Sequence, residues 1–438
     1  MVRRNYLHEM RSAATYPLAA ALAEGAFTGI VATKYFHAGP TLLAVITAAP
    51  MFGNIIALFW AELARSRRKV PLVNWLQLGV LGSISAVALT RALPLEVGGW
   101  VFAALIVLAR VMASGVVTIR STIWRYNYPR QIRGQIVGRI SMIATAALAG
   151  ATLLGSIWLD RRPEAYVYLY PAAAALGAIG IWQFSQIRVR QERQLIRREQ
   201  QQVYTLRPEN VAETDEANVL NFVPRATDTV LRFLQDSTRV LREDRHFAQY
   251  QWWQFLNGAA FMLMIPPLVF MVSRQMTDPR GQYLLATVVL QLIPMAASVV
   301  FIGLWSPLFD RMHILKFRTI QSVVSVCAHA GLWAGAALNL LWLVAMGQLL
   351  VGISNAAGSL AWNLGHNDFA RKEDAGRYMG VHVMLTGLRG FIAPFAGAWL
   401  FAGGVAGRNV FAVSTFMALA AGVGFGMMWR KWQRRLPA

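Results

Sequence analysis

The chain has 438 residues, 56% of them hydrophobic and only 14% charged, and its mean hydropathy is +0.42, whereas a soluble domain carries about 25% charged residues. That balance excludes a soluble enzyme, and 15 Trp, 12 Tyr and 22 Phe exclude a disordered chain. A formal charge of +21 would suit a nucleic-acid partner, but Lys and Arg sit mostly in short loops between apolar runs, as they do when loop charge orients a protein in a bilayer.

Runs of about 18 or more predominantly apolar residues predict twelve membrane helices. They fall at 13–36, 42–63, 72–93, 100–119, 140–159, 166–184, 252–272, 284–302, 319–337, 340–361, 381–401 and 410–429. Met1 to Arg11 is polar and basic, and the apolar run behind it is as long as a full span, so no cleavable signal peptide is expected. Most connections are short, but the stretch from Gln186 to Gln251 is long and polar. It divides the chain into an N-terminal six-helix bundle (1–185), a linker (186–251), and a C-terminal six-helix bundle with its tail (252–438). The linker opens on the basic run Arg188, Arg190, Arg193, Arg197 and Arg198, passes an acidic patch at Glu213 to Glu216, and ends in an expected amphipathic helix from Thr227 to Arg242. Val230, Leu231, Leu234 and Leu241 would form its apolar stripe, and a helix lying on the inner membrane surface is the expected outcome.

With the N-terminus placed in the cytoplasm, roughly 33 of the 42 Lys and Arg fall inside, about 7 outside, and two, Arg110 and Arg389, within spans. The opposite orientation reverses that excess, so both termini are expected to be cytoplasmic.

The halves echo each other. Arg133-Gly134 and Gly138 precede the fifth span, and Ala375-Gly376 and Gly380 precede the eleventh; about twenty residues beyond each second glycine stands a tryptophan, Trp158 or Trp399, followed by leucine. Two similar six-helix units form a recurrent transporter plan. The loop between spans 8 and 9 reads Ser306-Pro-Leu-Phe-Asp310-Arg311-Met-His313, and that between spans 2 and 3 reads Trp60-Ala-Glu-Leu-Ala64-Arg65-Ser66-Arg67-Arg68-Lys69. The first resembles the loop signature Gly-x-Leu-Ala-Asp-Arg-x-Gly-Arg of the major facilitator superfamily, with Ser306 and His313 at the glycine places. The second is a poorer copy, with alanine at the acidic place and Glu62 as a substitute. Arg110 followed by Gly115 is similar to the family's Arg-x-x-x-Gly element but one residue too long, and the glycine-rich antiporter signature is not evident in Ala146 to Leu159. The resemblance covers nearly the whole chain outside the linker. It implies an all-α membrane protein of twelve helices in two pseudosymmetric bundles, a cavity lined by spans 1, 4, 7 and 10, and a cytoplasmic gate at Asp310 and Arg311.

Charges within hydrocarbon are costly, by about 2.5–3.5 kcal/mol on insertion scales, so each is a candidate for function. Glu24 in span 1 and Arg110 in span 4 are expected to meet in the cavity, either as a coupling and solute-contacting pair or as a permanent ion pair joining two helices. Arg389, between Gly387 and Gly390, is expected to contact backbone carbonyls. Arg110, Ser114, Thr118, Ser121 and Arg125 share one face of span 4; Gln348, Gly352, Asn355, Ser359, Asn363 and His366 share one face of span 10. Gln254 and Asn257 enter span 7 behind Trp252 and Trp253, which suit an interfacial aromatic belt. The polar contacts expected to face a solute are Asn257, Gln348, Asn355 and Asn363. His329 and His382, alone on apolar spans, are expected to be hydrogen-bonded packing residues, and His366, Asn367 and Asp368 to order a loop or gate.

The one cysteine, Cys327, supports no disulfide framework. Met262, Met264, Met271, Met276 and Met295 cluster, and thioethers suit Cu(I), yet methionine also fills irregular apolar gaps. No phosphate-binding Gly-x-x-x-x-Gly-Lys loop occurs, so ATP is not expected as the driving ligand. The reading is a monomeric secondary transporter of a small solute, anionic or zwitterionic, coupled to protons and embedded in the inner or plasma membrane. No cofactor, metal, nucleic acid or enzymatic activity is expected. A transport-inactive receptor or scaffold is the alternative, followed by a Cu(I) transporter and a membrane-bound transferase.

Overall fold

A computed structural model of the protein describes residues 2–205, 235–370 and 375–434. Two helices, α1 (Val2–Ala20) and α2 (Gly25–Lys34), make up the first span. It is followed by α3 (Pro40–Ala64), α4 (Lys69–Ala86, continued by a tighter turn to Ala92), α5 (Leu95–Asn127), α6 (Arg130–Arg161) and α7 (Tyr166–Ser185). The connection carries α8 (Glu192–Thr205) and a short helix, α9, at 235–243. The second set begins with α10 (Arg245–Met271), then α11 (Tyr283–Thr287), which runs through a widened turn into α12 (Ile293–Arg311). It closes with α13 (Ile314–Leu338), α14 (Leu341–Leu364), α15 (Ala375–Ala402) and α16 (Val410–Gln433). No strand occurs among the described residues, as hydrocarbon requires of a backbone that must satisfy its own polar groups.

Eleven of these spans are continuous apolar helices long enough to cross a bilayer; the broken first span is the twelfth. Their ends follow local chemistry. Pro40 opens α3 at a position where its missing N–H costs nothing. Asp244 accepts from Phe247 N at 2.9 Å and caps α10, His313 accepts from Leu315 N at 3.2 Å and caps α13, and Asn339, in the left-handed region at φ 56°, ends α13. Large apolar side chains such as Trp75 (72% exposed), Val300 (67%) and Trp399 (64%) cover the outside of the bundles, the surface that lipid would wet. The paired tryptophans Trp158 and Trp399 are both exposed on corresponding helices.

The structure corrects several boundaries. The first span is not one helix over 13–36: α1 begins at Val2, with Asn5 and Glu9 buried, and the helix breaks at Glu24. Gln291 of the other half of the chain explains the break, since its Oε1 accepts from Phe27 N at 2.9 Å and caps α2. Gly25, at φ +69°, leaves room for that oxygen, which would stand 2.8 Å from a Cβ. The linker contributes more helix than expected: α8 lies within it, and α10 starts at Arg245. The expected amphipathic helix at 227–242 lies partly outside the described residues, as does the acidic patch at Glu213 to Glu216. In the part that is described, Val240 is buried in the core of the second bundle, so α9 packs on protein. Trp252 is 60% exposed, as an aromatic belt requires, but the ring of Trp253 packs on Gly424 of α16.

The start of α1 meets the chain behind α7 through Asn5 and Arg188, and the end of α16 meets the loop before α13 through Trp432 and His313; the end of the bundles that these contacts mark is the terminal side, and the opposite end is the distal side. Toward the distal side the two sets of six helices share one apolar core, in which Phe27, Leu43, Phe102 and Tyr170 of the first set join Met264, Val269, Val289 and Leu332 of the second. Toward the terminal side the cores are separate, one around Val73, Ile119 and Phe184, the other around Phe247, Trp305, Phe317 and Phe425.

Polar contacts reinforce the distal junction. Lys34, almost fully buried, donates from Nζ to Ser273 O at 3.0 Å, Thr277 Oγ1 at 2.9 Å and Asp278 O at 2.6 Å. Ser156 Oγ donates to Thr287 Oγ1 at 2.7 Å. Asp160 Oδ1 accepts from Tyr283 N and, at 3.3 Å, from Leu284 N. The bundles are therefore latched distally, while toward the terminal side each keeps an apolar core of its own.

Candidate functional site

Glu24 lies at the break between α1 and α2, where the chain is extended (φ −134°, ψ 151°). Arg110 lies midway along α5, and its Nη1 is 2.9 Å from Glu24 Oε2. The arginine side chain is 18% exposed and the glutamate 42%, so the carboxylate is the wetter partner. A break of this kind places a side chain and unpaired backbone groups at mid-membrane depth only where they border protein or a cavity.

Glu24 borders a cavity of about 420 Å³ between the two bundles, within the range that small-molecule sites occupy. Ile46, Thr47 and Pro50 of α3 form one wall, and Met264, Leu268 and Val269 of α10 another. Gln291, Gln348 and Asn355 supply amide groups. Gln348, itself buried, donates from Nε2 to Leu290 O at 3.4 Å.

A second cavity of about 350 Å³ lies within the C-terminal bundle and shares Phe261, Val351 and Asn355 with the first. Asn257 and Asn363 line it, together with Gln254, Gln321, Arg318 and Arg389. Of the expected site residues, Glu24 and Gln348 border the first space, Asn257 and Asn363 the second, and Asn355 both, whereas Arg110 borders neither and reaches the first only through its pair with Glu24. Asn257 Oδ1 is buried without a partner; Asn363 Nδ2 is turned back to Ser359 O at 2.7 Å.

The polar faces of the two matched helices serve different ends. On α14 the face borders both cavities, but on α5 the hydroxyls of Ser114, Thr118 and Ser121 bond carbonyls of their own helix at 2.7–2.8 Å. A Cβ on Gly53 would come within 2.8 Å of Ser114 Cβ, which makes that part of α5 a packing surface for α3. Arg389 Nη1 donates to Gln254 O at 2.8 Å, the carbonyl contact expected of it. His329 Nδ1 lies 2.7 Å from Ser325 O, and His382 Nδ1 lies 3.1 Å from Gln251 Oε1. The methionines of α10 pack in the apolar core, and among the described residues no three His, Cys, Asp or Glu converge as metal ligands would.

The two signature loops are held by acids from elsewhere in the chain. Asp310 and Arg311, at the end of α12, are exposed, and their side chains make no hydrogen bond or ion pair among the described residues. Asp368, at the end of α14, instead accepts from Ile314 N at 2.7 Å, a loop-ordering role. Between spans 2 and 3, Glu62 pairs only locally with Arg65 at 3.3 Å. Glu192 and Glu199 of α8 take the backbone amides of Lys69 and Ser66 at 3.1 and 2.7 Å.

Several functional candidates were not visible beforehand. Arg318 reads as a loop residue because the apolar run starts at 319, yet α13 begins at Ile314 and buries it one turn in. Gln291 carried a usable signal, an amide amid the apolar run 284–302. Glu9 had none: its burial beside Arg120 (3.6 Å) and Trp124 Nε1 (2.7 Å) depends on α1 extending to Val2.

The sequence model of the major facilitator superfamily matches residues 17–394, and the chain belongs to that superfamily. No curated protein matches the sequence. Among solved structures, a mutant of the nucleoside transporter NupG is similar with a TM-score of 0.68 at 12% identity, over 97% of this chain and 99% of that one. A D-xylose–proton symporter gives 0.67 at 12% identity, over 97% and 96%. The xylose transporter XylE from E. coli, in an inward-open conformation, gives 0.63 at 11% identity, over 98% and 96%. At such identities the likeness is one of fold. The protein is a multi-pass membrane protein with the twelve-helix, two-bundle architecture of this superfamily.

Proposed function

We propose that the protein is a secondary active transporter that carries a small solute across the membrane by alternating access, coupled to protons. The moving parts are the bundle within 1–185 and the bundle within 252–438, joined by the linker 186–251. The observation that carries this reading is the Glu24–Arg110 pair, whose carboxylate stands at a helix break on the wall of a cavity that both bundles share and whose guanidinium backs it from α5.

A proton on Glu24 removes the charge that holds Arg110 and leaves the guanidinium free for another acceptor. Deprotonation restores the pair, so proton and solute occupancy are linked through one arginine. Gln348 and Asn355 present amides that can bond a solute, and Asn257 and Asn363 lie in the adjoining space. The excess of Lys and Arg on the terminal side supports a cytoplasmic placement of both termini, and the distal latch supports reading this state as the one that faces the cytoplasm. Asp310 and Arg311, exposed in this state, are the groups that would meet the opposite bundle when the cytoplasmic side closes. A structural neighbour that is itself a proton symporter supports the coupling ion.

The test is purified protein in vesicles loaded with a pH-sensitive dye and challenged with sugars, nucleosides, amino acids and carboxylates. One class is expected to carry protons with it. Glu24→Gln should uncouple solute movement from the proton gradient, and an intact pH dependence in that variant removes the proton role. Arg110→Lys and Arg110→Gln separate charge from guanidinium geometry. Vesicles that move no solute down any gradient would make the protein a receptor or scaffold.

A further inference from the structure

We infer that the cavity inside the C-terminal bundle is a binding site for a small soluble oxyanion, a carboxylate or phosphate, held by Arg318 and Arg389. The inference deepens the transporter reading and rests on it for the fate of the ligand, though not for the existence of the site.

Arg318 is 2% exposed and Arg389 6%, and both line the same cavity. Neither has a carboxylate partner among the described residues: each hydrogen-bonds a neutral oxygen, and the Arg318 guanidinium also lies over the Phe425 ring, 6.0 Å from its centroid. Arg318 Nη1 donates to Gln321 Oε1 at 2.6 Å, and Gln321 in turn donates from Nε2 to Ser354 O at 3.1 Å. Arg389 Nη1 donates to Gln254 O. Three further guanidinium nitrogens, Nε and Nη2 of Arg318 and Nε of Arg389, are buried without any partner. Among the described residues lining the cavity there is no carboxylate.

Two buried guanidinium groups facing one space without a counter-charge are costly, and a native structure that keeps such a pair calls for an explanation. A small oxyanion supplies the acceptors that the two forks need, in the charge-assisted geometry for which arginine is suited. The place of Arg389 is built into the backbone: a Cβ on Gly258 of α10 would stand 2.1 Å from its Cζ. Asn355 borders both this space and the cavity beside Glu24, so the anion site adjoins the space between the bundles.

The experiment is thermal unfolding of the full chain in neutral detergent at constant ionic strength, with inorganic phosphate, succinate or lysophosphatidylglycerol as probe. Phosphate or succinate is expected to raise the unfolding temperature of the wild type, because a ligand bound only to the folded state stabilises it. Arg318→Gln and Arg389→Gln should each weaken the effect by about tenfold or more in probe concentration, while Arg318→Lys and Arg389→Lys should retain part of it. Without probe, the Gln variants should unfold no earlier than wild type, since each removes an uncompensated buried charge. Gly258→Ala should weaken the response by displacing Arg389. No shift with phosphate or succinate, an undiminished shift in both Gln variants, or a shift with the lipid probe alone would each overturn the inference. The two readings fail separately: oxyanion binding without vesicle transport sinks the transporter reading and keeps the site, whereas transport of an uncharged solute without oxyanion binding does the reverse.

Discussion

Lys69 and Glu199, 130 residues apart in the chain, form a salt bridge of 2.8 Å at the terminal side of the N-terminal bundle. The lysine side chain is 3% exposed and the glutamate 19%. Glu199 also accepts from Ser66 N at 2.7 Å, and Lys69 Nζ from its other side reaches Ala64 O at 2.5 Å. The linker helix α8 thus supplies the acid that the loop between spans 2 and 3 lacks at Ala64.

Glu199→Gln should loosen α8 from that loop. Glutamine keeps one acceptor oxygen but no charge, so the buried ammonium loses its counter-ion and at least one hydrogen bond, which costs about 1–3 kcal/mol locally. Limited trypsin digestion should cut at Arg193 and Arg197 faster than in the wild type. Unchanged cleavage kinetics would mean that the salt bridge does not hold the helix.

Lys34 should govern the distal latch. Its ammonium bonds three oxygens across the bundle interface, and charge-assisted bonds are worth about 1.5–3 kcal/mol each when lost singly. Lys34→Gln should therefore shift the equilibrium toward distal opening by about tenfold or more. Spin labels introduced through Glu164→Cys and Arg280→Cys, in a Cys327→Ser background, would report a new long-distance population. An unaltered distance distribution would place the latch elsewhere.

Gly25 is required by backbone conformation and by Gln291 together. At φ +69° an alanine is strained, and its Cβ would meet Gln291 Oε1 at 2.8 Å. Gly25→Ala is expected to cost about 1–3 kcal/mol, seen as a lower unfolding temperature in detergent. Gln291→Leu should relieve the clash in the double variant, yet leave Phe27 N without its acceptor. A fully additive double variant would show that the two positions do not interact.

His37, in the exposed distal loop, accepts through Nδ1 from Arg274 Nη1 across 2.9 Å, which requires the tautomer unprotonated at that nitrogen. Partial burial, then the nearby charges of Arg274 and Arg280, hold its pKa below the ordinary histidine value. A histidine whose folded pKa is depressed is neutral in the native contact, so its contribution is present above about pH 6.5, the unfolded value. It is lost as pH falls below that value through the folded one. Distal closure should weaken modestly between about pH 7 and pH 5, and His37→Gln should flatten that part of the profile. A wild-type profile that is level across this window would argue against the contact.

The number of spans, the two-bundle plan and the superfamily were legible in the sequence by itself, because hydrocarbon imposes a one-dimensional requirement. A stretch long and apolar enough to cross must form a helix, and polar connections must lie outside it. Glu24 and Arg110 were legible as candidates for the same reason: a charge in such a stretch stands out wherever it points. Only the tertiary structure decided the rest. The convergence of Arg318 with Arg389 on one cavity, the cap that Gln291 places on α2 and the acids lent by α8 depend on how far each helix extends and how it is turned about its axis. Those quantities are set by packing between residues far apart in the chain, and no local spacing encodes them.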